Sequence, residues 1–525
     1  MRFSPLPARV TSAKALFLVA LSSALYTACF APLQWYWLAA VALVPLLVVL
    51  RSVSPARAAL LAAGWSLLVS AGVVAPWLID AASTYYAQPR LLGWAVFFVG
   101  TTVTASWAYA LLGAGLAWAE RRGAVAASLF SCLAFVAAEL VRVRLGGNPV
   151  ALFGTALPAH HWLAQVADLG GVYAVALPAL AVNAAVAGAW LHLRRGVGTR
   201  RLVVGSAAVA FALVVASAGY GSWRLASLAP QGTTDSPIAG DATTSIVAVA
   251  QDNLELGSQW DERMYGRNLD VYLRMSHELL GRSGASVLFW PEGSMTFLLA
   301  EEPRFARAIA AVLEPFGAQL VAGGPRAAGS SRYFNSAFLL EPSGATAAVY
   351  DKQQLLPLAE YFPLGSANFV ARRFAGVREF TPGGEARLLP TAAGSAGVLI
   401  CNEAMFSHLA GDRARAGAEY LAVLSNDTWI GHSQYSTMQL GLAAFRAVEQ
   451  RRFVVRASTA GPSAVIAPSG RVLAATEPFS RDTLRAPVQA RESLTVYARA
   501  GDAFAIACLL LALLLLLPAP RARQD

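Results

Sequence analysis

The sequence predicts a bundle of eight membrane-spanning helices carrying one layered α/β domain. Three observations lead there. Of 525 residues, 56% are hydrophobic and only 14% charged, where soluble domains carry roughly 25% charged. The deficit is local: long apolar runs fill 15–220 and return at 503–517, while 245–490 has a globular composition. Within that globular stretch, short β-type runs alternate with helical ones.

The candidate spans are 15–31, 34–50, 58–79, 92–118, 124–141, 170–193, 202–222 and 503–517, where a bilayer asks for roughly 17–25 residues. The first follows Arg2, Arg9 and Lys14 as a signal peptide would. It lacks a small-residue cleavage site and a second run follows at once, so it reads as a retained helix. Basic residues set the direction. On one side fall thirteen: Arg2, Arg9, Lys14, Arg51, Arg57, Arg121, Arg122, Arg194, Arg195, Arg200, Arg201, Arg521 and Arg523. On the other fall three, Arg90, Arg142 and Arg144. The positive-inside rule puts both termini in the cytoplasm and the globular domain, between the seventh and eighth spans, on the outer side. Arg142 and Arg144 run against the rule and are expected to snorkel at a helix end or to face anionic headgroups. The net charge of +10 thus reports topology, and no basic stretch interleaved with aromatics points to nucleic acid.

The domain organisation follows: 1–224 for the seven-helix bundle, a Ser/Thr/Gly/Asp-rich linker at 225–244, the α/β domain at 245–495, and the closing span with its tail at 496–525. Strands are expected at 245–251, 286–290, 319–322, 397–400 and 420–424, with helices at 261–281, 302–315 and 433–451. Glu341-Pro-Ser-Gly344 and Ala467-Pro-Ser-Gly470 have β-rich flanks and read as hairpin turns. Strands this uniformly apolar are buried on both faces, so helices must cover the sheets.

Polar residues gather where these strands end. Trp290-Pro-Glu292 ends one, Lys352 follows the hairpin 335–350, Cys401-Asn-Glu403 ends another and Ser425-Asn-Asp427 the next. Open α/β folds build their sites outside the carboxyl ends of strands, which lets Glu292, Lys352 and Cys401 converge. Cys29, Cys132 and Cys508 lie in candidate spans, so there is no disulfide framework and Cys401 is the lone thiol of the domain. The chain has two lysines, Lys14 and Lys352, and otherwise uses arginine. Lys352 is therefore expected where a compact ammonium is wanted. The three groups are chemically complementary: a base for the thiol, a nucleophile, and a cation for the thiolate and oxyanion. Spacing alone leaves other readings open. Glu292 could cap a helix, Lys352 could close a hairpin, and Cys401 could be an inert core thiol. Six histidines at no useful spacing and the lack of a Gly-rich nucleotide loop predict no metal and no cofactor.

In this order, Trp290-Pro-Glu292, Tyr350-x-Lys352 and Cys401-x-Glu403 resemble the nitrilase superfamily. With seven spans before and one after, the chain resembles the apolipoprotein N-acyltransferase family over nearly its whole length. Further matching segments are Leu355-Leu-Pro-Leu-Ala-Glu360-Tyr-Phe-Pro363, Ser425-Asn-Asp-Thr-Trp429, Arg446-Ala-Val-Glu449 and Arg456-Ala-Ser-Thr459. The resemblance implies a nitrilase-like αββα sandwich on an eight-helix bundle, in the bacterial cytoplasmic membrane and facing the periplasm. It implies a two-step reaction. Cys401 takes an acyl chain from a phospholipid, and the thioester then acylates the α-amine of the diacylglyceryl-cysteine of an apolipoprotein. By the same resemblance Glu292 is the base, Lys352 the oxyanion stabiliser and Cys401 the nucleophile. Glu360 and Glu403 support the site, and Trp260 stands near the pocket entrance.

Phe362, Phe369, Phe374 and Trp429 are candidates for the acyl path and equally for ordinary core. Three departures bear on the acceptor. Asn402 stands where the family usually has Tyr, Leu-Ala precedes Glu360 in place of Phe-Gly, and Gln251 is not followed by Pro-Gln. They keep in view an acyltransferase acting on a different amine. Two competing readings stand apart from them: a membrane-tethered nitrilase-type amidase, and a non-catalytic binding or assembly role, against which the presence of Glu292, Lys352 and Cys401 together argues.

Overall fold

Two units make up the computed structural model: Met1–Ile79 with Leu91–Arg224 and Ala500–Asp525, and Asp80–Arg90 with Leu225–Arg499. The described residues are 11–84, 87–228, 244–254, 262–329, 332–357, 359–361, 380–431 and 433–517.

Apolar runs bounded by Pro, Gly and Arg fold as helices, because a chain in lipid must satisfy its backbone internally. Five are long and apolar enough to cross a membrane: Pro55–Val73, Arg90–Glu120, Ala124–Arg144, Trp162–Arg195 and Arg200–Leu228. Three shorter apolar helices, Ser12–Ala28, Tyr36–Leu50 and Ala503–Leu516, occupy the remaining runs read from the sequence. Arg200–Leu228 buries only Ala210 and Gly221, leaving an apolar surface that lipid solvates and water does not. Helices Pro55–Val73 and Trp107–Glu120 meet backbone to backbone. A Cβ on Gly113 would fall 2.4 Å from the Ala58 carbonyl oxygen, the close approach that small residues permit between membrane helices.

Where the bundle's backbone is irregular, polar side chains complete it. Asn183 Nδ2 donates to the Ala39 carbonyl at 2.7 Å and its Oδ1 accepts the Leu43 amide at 2.8 Å, at the break inside Tyr36–Leu50. Arg142 corrects a sequence expectation. It is buried, and its guanidinium donates to the carbonyls of Asn148, Val150 and Ala151 at 2.8–3.1 Å. Glu139 Oε1 accepts the Phe153 amide at 2.6 Å beside it. Arg144 pairs with Asp502 at 2.7 Å. Arg142 is therefore turned inward, while Arg144 ends its helix with a partly exposed side chain. The non-helical stretch after Ala124–Arg144 presents orphan carbonyls, and a guanidinium satisfies several at once.

The second unit is built on twelve strands among the described residues: β1 Thr244–Gln251, β2 Val287–Phe289, β3 Gln319–Ala327, β4 Tyr333–Leu340, β5 Thr346–Asp351, β6 Leu389–Thr391, β7 Gly394–Ile400, β8 Tyr420–Ser425, β9 Val454–Ser458, β10 Ala464–Ile466, β11 Val472–Ala475 and β12 Asp482–Gln489. They form two six-stranded sheets, ordered β12-β1-β2-β3-β4-β5 and β11-β10-β9-β8-β7-β6. In each sheet three strands run parallel, β1-β2-β3 and β7-β8-β9. Both expected hairpins are present, and their turns end on Gly344 and Gly470 at φ +78° and +83°, where a side chain would strain the backbone.

Alternation along the strands sorts the layers. Val247, Val249, Phe289, Val321 and Leu339 of one sheet pack against Val398, Ile400, Ala422, Leu424 and Val455 of the other. The opposite face of the first sheet, Ala248, Leu288, Leu320 and Phe338, packs under Leu269, Tyr272 and Leu280 of helix Tyr265–Ser283 and Ile309 of Pro303–Leu313. Helices Ser407–Arg415 and Ser433–Gln450 pack on the second sheet. The four layers are the αββα order that the resemblance implied. Helix Arg200–Leu228 and β1 take residues from the two ends of the stretch expected as a linker. β3 runs to Ala327 rather than stopping at 322. Gly323-Gly324-Pro325 pairs with β4. The glycine serves close packing: a Cβ on Gly323 would lie 2.6 Å from the Cα of Glu292.

Candidate active site

Parallel strands send their carboxyl ends to one end of the sandwich, and four loops meet there. β2 is followed by Trp290-Pro-Glu292, β5 by Lys352, β7 by Cys401 and β8 by Asn426. Cys401 opens a 3-10 turn, Cys401–Met405, with φ +54°. A non-glycine residue in that region is strained by about 1–3 kcal/mol, and such strain gathers at functional sites. The turn is held by Glu403. Its Oε2 accepts the Ile400 amide at 2.7 Å, and its Oε1 accepts the amides of Gln353 and Gln354 at 2.7 and 3.0 Å. The Tyr350 hydroxyl donates to the same carboxylate at 2.8 Å and accepts from Arg413. Fully buried, Glu403 thus ties the cysteine turn to the lysine loop.

Glu292, Lys352, Glu360 and Cys401 come together, all buried. Lys352 Nζ lies 2.8 Å from Glu360 Oε2 and 3.6 Å from Glu292 Oε1. Asn335 Nδ2 lies between the acids, donating to Glu292 Oε1 at 2.7 Å and Glu360 Oε1 at 2.8 Å. Backbone amides complete them: Asn426 to Glu292 Oε2 at 2.9 Å and Leu356 to Glu360 Oε2 at 2.7 Å. Cys401 sits in the same cluster, close enough for its thiol to feel the charges of both Glu292 and Lys352.

Charges in this dry cluster are mutually dependent. Burial raises the Glu292 carboxyl above its usual range and Glu360 adds to it, against the pull of Lys352 and the bond from Asn335. Burial works against the Lys352 ammonium, but Glu360, Glu292 and Cys401 outweigh it and hold the proton on. Cys401 is pushed up by burial and then by Glu292, with Lys352 opposing. Burial thus favours the neutral thiol over the thiolate, and Glu292 is a carboxyl placed beside it.

Asn402 is buried beside the nucleophile, and its Oδ1 has no hydrogen-bond partner among the described residues. Trp429 is half-buried, its ring 6.2 Å from that of Tyr435. Trp260, Phe362, Phe369 and Phe374 lie outside the described residues. Sequence reasoning missed Asn335 and the hydroxyl-guanidinium support from Tyr350 and Arg413. The one sequence signal for Asn335 is an amide inside an apolar strand, where Asn is disfavoured. It also left Asn426 without a role, although the Ser425-Asn-Asp427 strand end had stood out.

Comparison with known proteins gives two family matches. Residues 247–495 match carbon-nitrogen hydrolase, and residues 22–185 match the apolipoprotein N-acyltransferase N-terminal domain. The apolipoprotein N-acyltransferase of Geobacter metallireducens is 30% identical over 488 residues, covering 91% of this chain and 89% of its own. That of Bradyrhizobium diazoefficiens is 32% identical over 391 residues, covering 71% and 69%. That of Gloeobacter violaceus is 29% identical over 510 residues, covering 92% and 90%.

Proposed function

This chain belongs to the apolipoprotein N-acyltransferase family, and from that premise we propose that it passes a phospholipid acyl chain through a Cys401 thioester to the α-amine of a lipoprotein's diacylglyceryl-cysteine. The observation that carries the residue assignment is the cysteine at positive φ, buried in one cluster with Glu292 and the Lys352 ammonium.

In the first half, Glu292 takes the thiol proton as sulfur attacks an ester carbonyl of the phospholipid. The S–C bond forms and Lys352 faces the oxyanion, a contribution of about 3–4 kcal/mol for one good donor. Collapse breaks the ester C–O bond. Glu292 returns its proton to the leaving alkoxide, and lysophospholipid departs. In the second half, the neutral amine attacks the thioester carbonyl. The C–N bond forms, the C–S bond breaks, and the amine's proton travels through Glu292 to the Cys401 sulfur. Glu360 positions Lys352, Asn335 spaces the two acids, and Glu403 holds the turn.

Both substrates are lipids, which accounts for a catalytic domain on a membrane bundle. Drawing an acyl chain into water costs about 0.8 kcal/mol per methylene. In this reading the three shorter apolar helices also cross the bilayer. That gives seven spans before the catalytic domain, residues 245–495, and one after it, with the domain at the periplasmic face of the inner membrane. The basic residues of the short connections support that direction.

The test supplies purified chain with acyl-labelled phospholipid and a diacylglyceryl-cysteine peptide. Labelled amide on the peptide, with lysophospholipid in equal amount, is the expected result. Labelled free fatty acid without amide contradicts it and indicates transfer to water, the amidase-type outcome.

A further inference from the structure

Phe479, in the connection between β11 and β12, has φ +56°, a region that a bulky residue enters only under constraint. The constraint is visible. Its amide donates to the Ala460 carbonyl at 2.6 Å, and its carbonyl accepts Asn253 Nδ2 at 2.8 Å. Gln251 Nε2 holds the flanking carbonyls of Glu477 and Ser480 at 2.8 and 3.0 Å. Asn253 is itself at φ +48°, its amide bonded to the Thr459 carbonyl at 2.9 Å. The result is not a buried ring: Phe479 remains 38% exposed. Folding gains little from displaying it, so the strain needs another reason.

Its place supplies one. β9 and β11 each pair antiparallel with β10, so they run the same way. The β11–β12 connection therefore leaves at the end of the sandwich where Cys401 leaves β7. Two strand spacings separate β9 from β7, about 10 Å. The same backbone meets the catalytic loops, since Thr459 Oγ1 bonds Asn426 Oδ1 at 2.9 Å and the Asn426 amide holds Glu292.

We propose that Phe479 is a chain-length specificity residue, an aromatic face on the rim that contacts the distal methylenes of the acyl chain carried by Cys401. The inference rests on the acyl-transfer reading above. A hexanoyl chain ends short of two strand spacings, whereas a palmitoyl chain passes them. The ring therefore acts on long chains only.

Phe479→Gly separates this role from a structural one, because glycine relieves the positive φ as it removes the ring. The full chain is assayed in one detergent with dipalmitoyl and dihexanoyl phospholipids of the same headgroup. The expected result is a thermal midpoint no lower than wild type. The palmitoyl-to-hexanoyl ratio of kcat/KM should fall on the order of tenfold, the effect of leaving one or two methylenes in water. Phe479→Trp should restore that ratio. An unchanged ratio in Phe479→Gly overturns the proposal, whether both rates hold or both fall together. An equal fall would assign the ring to the acceptor or to the lipid surface. If wild type makes amide from neither donor, the acyl-transfer reading itself fails, which is a distinct outcome.

Discussion

Replacing Glu403 by Gln removes one charge and almost no volume, yet it should loosen the nucleophile. The carboxylate accepts from the Ile400, Gln353 and Gln354 amides and from the Tyr350 hydroxyl. All are donors, and a carboxylate can accept them all where a carboxamide cannot. In the less costly flip, the amide oxygen keeps Gln353 and Gln354, and the new NH2 group faces the Ile400 N–H. One charge-assisted bond is lost, worth about 1.5–3 kcal/mol, and a buried donor is left unmet at about 1–3 kcal/mol more. The predicted loss is roughly 3–5 kcal/mol, read by denaturant or thermal unfolding in detergent. Because Ile400 precedes the strained Cys401, kcat should fall at least tenfold as well. The pH dependence of kcat/KM should keep its shape, since Glu403 handles no proton. Unchanged stability and rate would refute the linking role, and a shifted pH profile would refute the claim that Glu403 only positions.

Asp252, buried at the end of β1, is lifted by burial from 3.8 to about 6. A carboxyl raised in the folded state adds no penalty below its unfolded value. The penalty grows as pH rises from about 4 and is complete above about 6, so stability from this group falls with rising pH. Asp252→Asn should therefore stabilise the chain at pH 7.5 by up to roughly 3 kcal/mol and flatten unfolding midpoints between pH 4 and 6; an equal or lower midpoint at pH 7.5 contradicts this. Lys352→Met leaves Glu292 and Glu360 facing each other with no cation. Roughly 3–5 kcal/mol of stability should go, with a rate loss of about 100- to 1000-fold, and wild-type unfolding in this variant would show that the ion pairs are not formed. Asn183→Leu strands the Ala39 carbonyl and the Leu43 amide, and should lower the unfolding midpoint by the equivalent of about 1–3 kcal/mol per lost partner; no change would mean lipid or water replaces them.

The sequence disclosed what solvent and chemistry impose on it directly. A bilayer demands continuous apolar runs, so the five helices long and apolar enough to cross one, and the three shorter apolar ones, could be read from composition. Double-faced burial leaves uniformly apolar strands, and reactive groups stand out as the polar residues at their ends. What stayed hidden depends on pairing between distant segments. Asn335 matters because β4 sets it between Glu292 and Glu360, and neither acid is near it in sequence. The strand expected at 319–322 runs on to Ala327 because the purpose of Gly323, room for the Glu292 turn, lies in another loop. Arg142 was misjudged by a rule about loops and lipid, whereas the local need was orphan carbonyls at Asn148, Val150 and Ala151. The left-handed backbone of Phe479 likewise comes from Gln251, Asn253 and Ala460, more than 200 residues away in the first two cases and 19 in the third.

Whether sulfur carries the acyl chain is read from the mass of the Cys401 peptide. Purified chain is mixed with phospholipid alone, quenched in acid and digested. An added acyl mass on that peptide, lost in neutral hydroxylamine and absent from Cys401→Ser, is the predicted result. Lysophospholipid released by Cys401→Ser at the wild-type rate, or acyl mass on any other residue, would contradict it.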